Sequence, residues 1–407
     1  MNDFDIAIIG AGPSGIMAAI SAAAQGARVV LIEKNEKIGR KILATGNGRC
    51  NLTNIHIDVS RYHGADSNFV KAVFEQFDQK QTMAFFESIG VILKEEDRGR
   101  IFPRTNQATT VVHALKQRLD ELRVTLCTNS CVKKIEKKNN WLISLGNDRN
   151  VWAKKLILTT GGKAAYQFGS SGDGLFWSKN FKHTIQPIYA ALVPVETTET
   201  WPKEIQGIKL ETRVRVIKNN QIISEKTGDL LFTHYGLSGP AIMGVARDVA
   251  DNPTFSHLKV DFLPEINEQN LLQKINNLFE DNGSKSIINN LLGFIPKNLL
   301  SQLLQIQNIN PNKKSAEVDK RQRINIVETL KSLSLHVSKL RPLKEAQVTR
   351  GGITTAEVDN KTLESSLVPD LFFAGEILDI DGDSGGFNLQ WAWSSGFVSG
   401  LHAARKK

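Results

Sequence analysis

At 407 residues the chain is too long for one ordinary hydrophobic core, and two or three domains are expected. With 41% hydrophobic and 23% charged residues it has the make-up of a globular protein, not of a disordered tail or a fibre. Its formal charge of +9 is scattered, with no dense basic helix or basic–aromatic interleaving, which argues for solvated surface and an anionic cofactor over a nucleic-acid partner.

The expected elements begin with a strand at residues 5–9, a helix at 13–25 and a strand at 28–33, the β-α-β order of a parallel sheet with a right-handed crossover. Residues 68–89 have helical apolar spacing at Phe69, Val73, Phe77 and Phe85. Another helix is expected at 110–121, then strands at 123–127 and 131–136, and a strand running into a glycine turn over 154–162. Beyond about Ala190 the pattern changes, and residues 210–240 read as short alternating strands joined by turns such as Asn219-Asn220. From Asn267 to about Leu340 the spacing of Leu271, Leu272, Ile275, Leu278 and Phe279 is helical. The strand-then-glycine style returns after residues 341–353, with a buried strand at 370–378. The fold class is therefore α/β: a nucleotide-binding domain built from 1–190 and 345–407, interrupted by an insertion at 191–344 that is β-rich over 191–265 and helical over 266–340.

Three cysteines make no disulfide framework and suit a reducing cytoplasm. Asp3 and Asp5 precede the first apolar run, unlike a secretory signal, and no run of about 20 apolar residues exists to span a membrane.

Gly10, Gly12 and Gly15 have the G-x-G-x-x-G spacing between strand and helix. The first permits the tight turn, the second lets backbone approach a pyrophosphate, and the third allows close helix–strand contact. Glu33 ends the second strand, where a carboxylate can accept hydrogen bonds from a ribose diol, and its removal is expected to weaken the cofactor while leaving folding intact. The spacing alone is weak evidence, but strand, turn, helix, strand and terminal acid all agree.

The stretch KIGRKILATGNGRCNLTN, residues 37–54, adds a second loop suited to phosphate, basic and rich in glycine, that an NAD dehydrogenase does not need and an extended FAD molecule does. Arg40 and Lys41 can neutralise diphosphate, while Thr45, Gly46, Gly48 and Asn51 offer groups close to a planar ring. Residues 371–396 bring a strand, A-G-E, an acidic glycine loop and a helix beginning near Gly386, whose N-terminus would stabilise the charge of a reduced flavin. Asp379, Asp381 and Asp383 look like the start of a calcium loop, but Ser384 and Gln390 occupy the positions of its glycine and its terminal glutamate, and no metal is expected.

These segments, with LILTTGG, GDLLFTHYGLSGPA and TRGGI, resemble the bacterial flavoprotein family called HI0933-like or BaiN-like, also described as aminoacetone oxidase family or NAD(P)/FAD-dependent oxidoreductases. The resemblance covers essentially the whole chain. It implies a Rossmann-type FAD-binding domain interrupted by an insertion with a small β-barrel and a helical part. It implies FAD as cofactor, with Gly10, Gly12, Pro13, Ser14 and Gly15 at the diphosphate and Glu33, beside Lys34, at the adenosine ribose. Arg40, Lys41, Thr45, Gly46, Gly48, Arg49 and Asn51 would line the diphosphate and flavin, and the Val132 backbone would meet the adenine. Thr160 and Gly161 would pass beside the cofactor, and Gly375, Glu376, Asp379, Gly386, Phe387 and Asn388 would close over ribityl chain and ring. Asn47 departs from the glycine of many members, at little cost if it adopts a turn conformation.

The activity so implied is that of an FAD-dependent oxidoreductase on a small organic substrate. No second dinucleotide turn exists, so NAD(P)H, as a transient electron donor, would have to reach the flavin through the substrate cleft. Two alternatives are a flavin-bearing RNA-associated protein and a flavin-binding protein without turnover. His234 is the substrate-side candidate, weighed against a turn-stabilising hydrogen bond; His183 reads as structural. Cys50 lies beside the flavin loop without a partner thiol, and Cys127 and Cys131 read as packing residues. Trp391 and Trp393 either wall a flavin pocket or bury the last helix.

Overall fold

The computed structural model describes residues 3–146, 149–250 and 256–405. The chain divides into two compact units, Met1–Tyr189 with Gln347–Lys407, and Ala190–Ala346.

In the first unit, β1 (Asp3–Ile9), α1 (Pro13–Ala24) and β2 (Val29–Ile32) form the expected crossover. Further strands are β3 (Thr125–Cys127), β4 (Val132–Lys137), β5 (Trp141–Leu145), β6 (Asn150–Leu158) and β7 (Leu371–Phe373). The sheet order is β3-β2-β1-β6-β5-β4. Strands β3, β2, β1 and β6 run parallel; β6 then pairs antiparallel with β5 through residues 150–153 and parallel with β7 through 156–158. All four residues of β2 are buried, as in a parallel sheet covered on both faces.

One of those covers is the packing of α1 on the last helix, α2 (Phe387–Ala404). A Cβ at Gly396 would stand 2.4 Å from the Ser14 carbonyl oxygen, and one at Gly400 would stand 2.2 Å from that of Ala18. Two glycines four apart on one face thus let the helix backbones touch.

Residues 68–89 form two helices, Ser67–Phe74 and Gln79–Ser88, where one was expected. Asp78 starts the second with a reciprocal cap: its carboxylate accepts the Gln81 N–H at 2.8 Å, and the Gln81 side chain accepts the Asp78 N–H at 2.9 Å. The apolar row continues across this break, which hides it from a periodicity reading. Phe86, not Phe85, is the fully buried ring.

The second unit holds a closed barrel of Val195–Thr197, Gly236–Ser238, Gln221–Thr233, Lys209–Lys218, Ser256–Asp261 and Leu333–Leu340, each antiparallel to its neighbours. Its long hairpin, with strands of 10 and 13 residues, turns at Asn219 and Asn220, both with positive φ. The helical stretch ends earlier than the expected 340. Helices Glu268–Asp281, Lys297–Ile306 and Lys320–Ser332 lead into a barrel strand at Leu333–Leu340, where Leu333, Leu335 and Val337 are buried in alternation. A period of two had replaced the helical period there.

Candidate functional site

The turn between β1 and α1 is packed against the protein's own backbone. Gly10 has φ +106°, and a Cβ there would meet the Thr159 carbonyl oxygen at 2.7 Å. At Gly15 a Cβ would lie 1.8 Å from the Gly10 carbonyl oxygen. Gly12 differs, since nothing lies within 4 Å of its Cβ position. That open space faces the start of α1, where Pro13 opens the helix and no acid occupies the first turn. Free N–H groups and the positive end of the helix dipole gather there, as an anion requires.

Glu33 is buried and does more than await a ribose. One carboxylate oxygen accepts the Ala11 N–H at 2.8 Å; the other accepts Asn35 through its backbone at 2.9 Å and its side chain at 2.6 Å. The carboxylate therefore ties the turn to the end of β2 and keeps about one of its four lone-pair positions for a ligand. The Glu33 carbonyl oxygen accepts the Ser130 N–H at 2.9 Å, which brings the start of β4, with Val132, beside it.

Three basic residues of this region, Lys34, Lys41 and Arg49, are paired with acids of the protein. Lys34 meets Asp173 at 2.9 Å, and Lys41 pairs with Glu376, whose other oxygen accepts the Thr349 N–H at 2.9 Å. Arg49 turns to Glu96 at 2.5 Å and lies over the Phe102 ring at 4.2 Å, and its hydrogen bond holds the Glu96 carboxyl below the usual range. Arg40 instead donates to the neutral Asn35 side chain at 2.7 Å, and with Leu43, Ala44 and Phe168 it lines a cavity of about 230 Å³.

In the loop that follows, Gly46, Asn47, Gly48 and Cys50 all have positive φ. Asn47 thus adopts the turn conformation that asparagine tolerates best after glycine. The Thr45 hydroxyl donates to the Ile42 carbonyl at 2.7 Å. Burial pushes the Cys50 thiol up to about 12, so it is a neutral packing group at physiological pH. Cys131, expected to pack, is exposed.

The third segment is braced from behind. Gly375 donates its N–H to the Ser395 hydroxyl at 2.9 Å and accepts the Trp391 indole N–H at 3.2 Å, and a Cβ on it would stand 2.5 Å from Ser14 Oγ. Trp393 donates to the Leu52 carbonyl at 3.0 Å. Both indoles are buried supports of α2. Gly386 caps α2 with φ +105°, while Asn388 accepts the Gly382 N–H at 2.8 Å and donates to its carbonyl at 2.7 Å. Phe387 is buried and its carbonyl accepts the Tyr62 hydroxyl at 3.0 Å. The Asp379 backbone N–H donates to the Ile353 carbonyl at 2.9 Å, and Asp383 pairs with Arg61 and His63. Among the described residues no three His, Cys, Asp or Glu side chains form a group that could hold a metal.

Thr160 Oγ1 and Asn51 Oδ1 are buried without a hydrogen-bond partner, and Gly161 has φ +73° beside Ser170. An open diphosphate space, two unanswered polar atoms and a second helix N-terminus fit FAD laid along the C-terminal ends of β1 and β7.

The two candidate histidines differ in setting. His183 is buried, 2.9 Å from Ser365 Oγ and 3.2 Å from Glu357, in a structural role. His234 is exposed at a barrel turn, edge-on to Tyr235, and the turn is bonded by Thr233 Oγ1 to Gly236 instead.

A glycine turn closed by a carboxylate, with a second glycine-capped helix packed on the first, defines a flavin-binding protein of the Rossmann type. The chain belongs to the HI0933-like family: the family described as HI0933-like protein Rossmann domain matches residues 4–402. It is 35% identical over 406 residues to 3-dehydro-bile acid delta(4,6)-reductase of Clostridium scindens, across 98% of this chain and 99% of that protein. It is 30% identical over 401 residues to ribosomal RNA dihydrouridine synthase of Escherichia coli, across 98% and 97%. The solved 3-ketosteroid-delta4-(5alpha)-dehydrogenase of Rhodococcus jostii shares the fold, with a TM-score of 0.52 at 14% identity, over 99% of this chain and 97% of that one. The protein is an FAD-dependent oxidoreductase. No helix among the described residues is long and apolar enough to cross a membrane.

Proposed function

We propose that the protein, working in the cytoplasm, reduces a carbon–carbon double bond conjugated with a carbonyl group in a small organic substrate, with NAD(P)H as the transient electron donor. The observation that supports this reading best is the pair of full-length relatives, one named for reducing a 3-dehydro-bile acid and the other for making dihydrouridine. A steroid and a pyrimidine share no outline, but both names describe saturation of a double bond conjugated with a carbonyl.

When bound, FAD supplies the hydride at N5, and the protein supplies orientation and electrostatics. Gly12, Pro13, Ser14 and the start of α1 would hold the diphosphate, with Arg40, which is bonded to a neutral amide and not to an acid, as a neighbouring cation. Glu33 shapes the turn and offers its remaining lone pair to the ribose. The start of α2 would offer a positive dipole end to the charge of a reduced ring bound beside it. The Lys41–Glu376 pair, anchored at Thr349, keeps the flavin loop against the A-G-E turn.

A second reading, uridine in RNA as the substrate, is favoured by the Escherichia coli relative. One anaerobic experiment separates the two. NADPH, then NADH, is added to the yellow protein, followed by a 4-en-3-oxo steroid or by unmodified ribosomal RNA. Bleaching by nicotinamide and recovery with the enone, with a product two mass units heavier, is the expected outcome. Recovery with RNA alone moves the assignment to the second reading. A flavin that neither nicotinamide bleaches rejects the donor, and bleached flavin indifferent to both acceptors rejects the proposal.

A further inference from the structure

Asn51 closes the flavin loop, and its side-chain oxygen is buried with no partner. Its polar neighbours along the chain are committed. Thr45 donates to the Ile42 carbonyl, Thr53 donates to Gln390 Oε1 at 2.6 Å, and the Asn54 side-chain nitrogen donates to the carbonyls of Arg98 and Gly385, both at 3.0 Å. Among the described residues of this loop, Asn51 is the side chain with an unanswered buried acceptor.

Its surroundings say what kind of group would answer it. A Cβ on Gly386 would come within 3.1 Å of Asn51 Oδ1, so this acceptor adjoins the cap of the 18-residue helix α2. The first N–H groups of a helix are donors without intrahelical partners. An acceptor next to a row of donors is the complement of a donor next to an acceptor. The pyrimidine edge of a flavin has that pattern, with N3–H between two carbonyl oxygens; its dimethylbenzene edge has neither.

On the FAD reading given above, we infer that Asn51 Oδ1 accepts the flavin N3–H while the α2 N-terminus donates to the adjoining O2. Asn51 is then the residue that fixes which edge of the ring enters the site, and it holds the ring where the α2 dipole stabilises its reduced form.

The test replaces FAD by 3-methyl-FAD, which lacks the donor and carries a methyl group in its place. Apoprotein is titrated with each flavin and dissociation constants are read from quenching of flavin fluorescence. Wild type is expected to bind 3-methyl-FAD about tenfold or more weakly than FAD, the scale of one buried hydrogen bond. In Asn51→Ala the two flavins should bind within about twofold of each other, FAD having lost that same tenfold. Asn51→Asp keeps an acceptor: it should retain the preference for FAD and show a lower flavin midpoint potential, because a carboxylate then faces the reduced ring. Equal binding of both flavins by wild type, or an unchanged ratio in Asn51→Ala, overturns the assignment. A wild-type protein that binds neither flavin overturns the FAD reading itself, a result distinct from either.

Discussion

The turn at residues 10–15 and the loop at residues 45–51 are both rich in glycine, and they need it for different reasons. In the first, Gly10 and Gly15 are forced by contact, because a Cβ at either would enter backbone that belongs to the protein itself. In the second, the demand is mainly conformational: consecutive residues take positive φ, and an asparagine fills one of those positions. Gly12 belongs to neither case, since the protein's own atoms leave its Cβ position open. What sets Gly12 apart is that this open position lies at the N-terminus of α1, where free N–H groups gather.

The sharpest way to break that comparison is to substitute both kinds of glycine in one turn. Gly15→Val puts a side chain 1.8 Å from the Gly10 carbonyl oxygen and should destabilise the protein by about 3 kcal/mol or more in urea unfolding. A loss below about 1 kcal/mol would show that the turn relaxes. Gly12→Val should leave that stability within about 0.5 kcal/mol yet weaken FAD by a hundredfold or more, about 2.7 kcal/mol. Purification of this variant with a full complement of flavin would remove the diphosphate from this space.

Glu33→Ala comes next. The sequence expectation was weaker cofactor binding with folding intact, and the hydrogen bonds revise it. The N–H groups of Ala11 and Asn35 lose their acceptor, so stability should fall by about 1–3 kcal/mol together with FAD affinity. Wild-type stability in this variant would return Glu33 to a purely ligand-facing role.

The loop at 45–51 has a smaller, pH-dependent counterpart. The Cys50 thiol is raised from 9.0 to about 12 by burial. Above pH 9 the unfolded chain ionises this thiol while the folded protein keeps it protonated, so the group contributes a loss of stability as pH rises from about 9 to about 12, and nothing below. The slope is up to about 1.4 kcal/mol per pH unit. Unfolding of wild type and Cys50→Ala should run parallel from pH 8 to about 9 and diverge by up to that slope from there to pH 10.5, and curves parallel throughout would mean that the thiol is not shielded.

What the sequence disclosed follows the same division. The β-α-β entry, Glu33 and the late helix at Gly386 were legible because each depends on neighbours close in the chain. The barrel strand at Leu333–Leu340 was submerged in a helical reading, because its partners, Val195–Thr197 and Ser256–Asp261, are remote and only a switch of period announces it. The partners of the cations were hidden in another way. Lys34, Lys41 and Arg49 lie near one another in the chain, but their acidic partners Asp173, Glu376 and Glu96 come from 139, 335 and 47 residues away. A charge can be seen in a sequence; whether it is already neutralised depends on contacts that only the fold provides.

Asn47 carries the smallest expected effect and isolates the conformational term. Its φ of 56° suits glycine and asparagine and is costly for a β-branched side chain. Asn47→Gly should change stability by no more than about 0.5 kcal/mol, since easier left-handed geometry is offset by a freer unfolded chain. Asn47→Val should cost about 1–2 kcal/mol with FAD affinity otherwise retained, because the side chain is exposed and only its backbone is strained. If valine proved as stable as asparagine, the loop would owe its shape to contacts after all, and the distinction between the two glycine segments would collapse. If valine left stability alone but weakened FAD, Asn47 would be a ligand contact and not merely a residue able to make the turn.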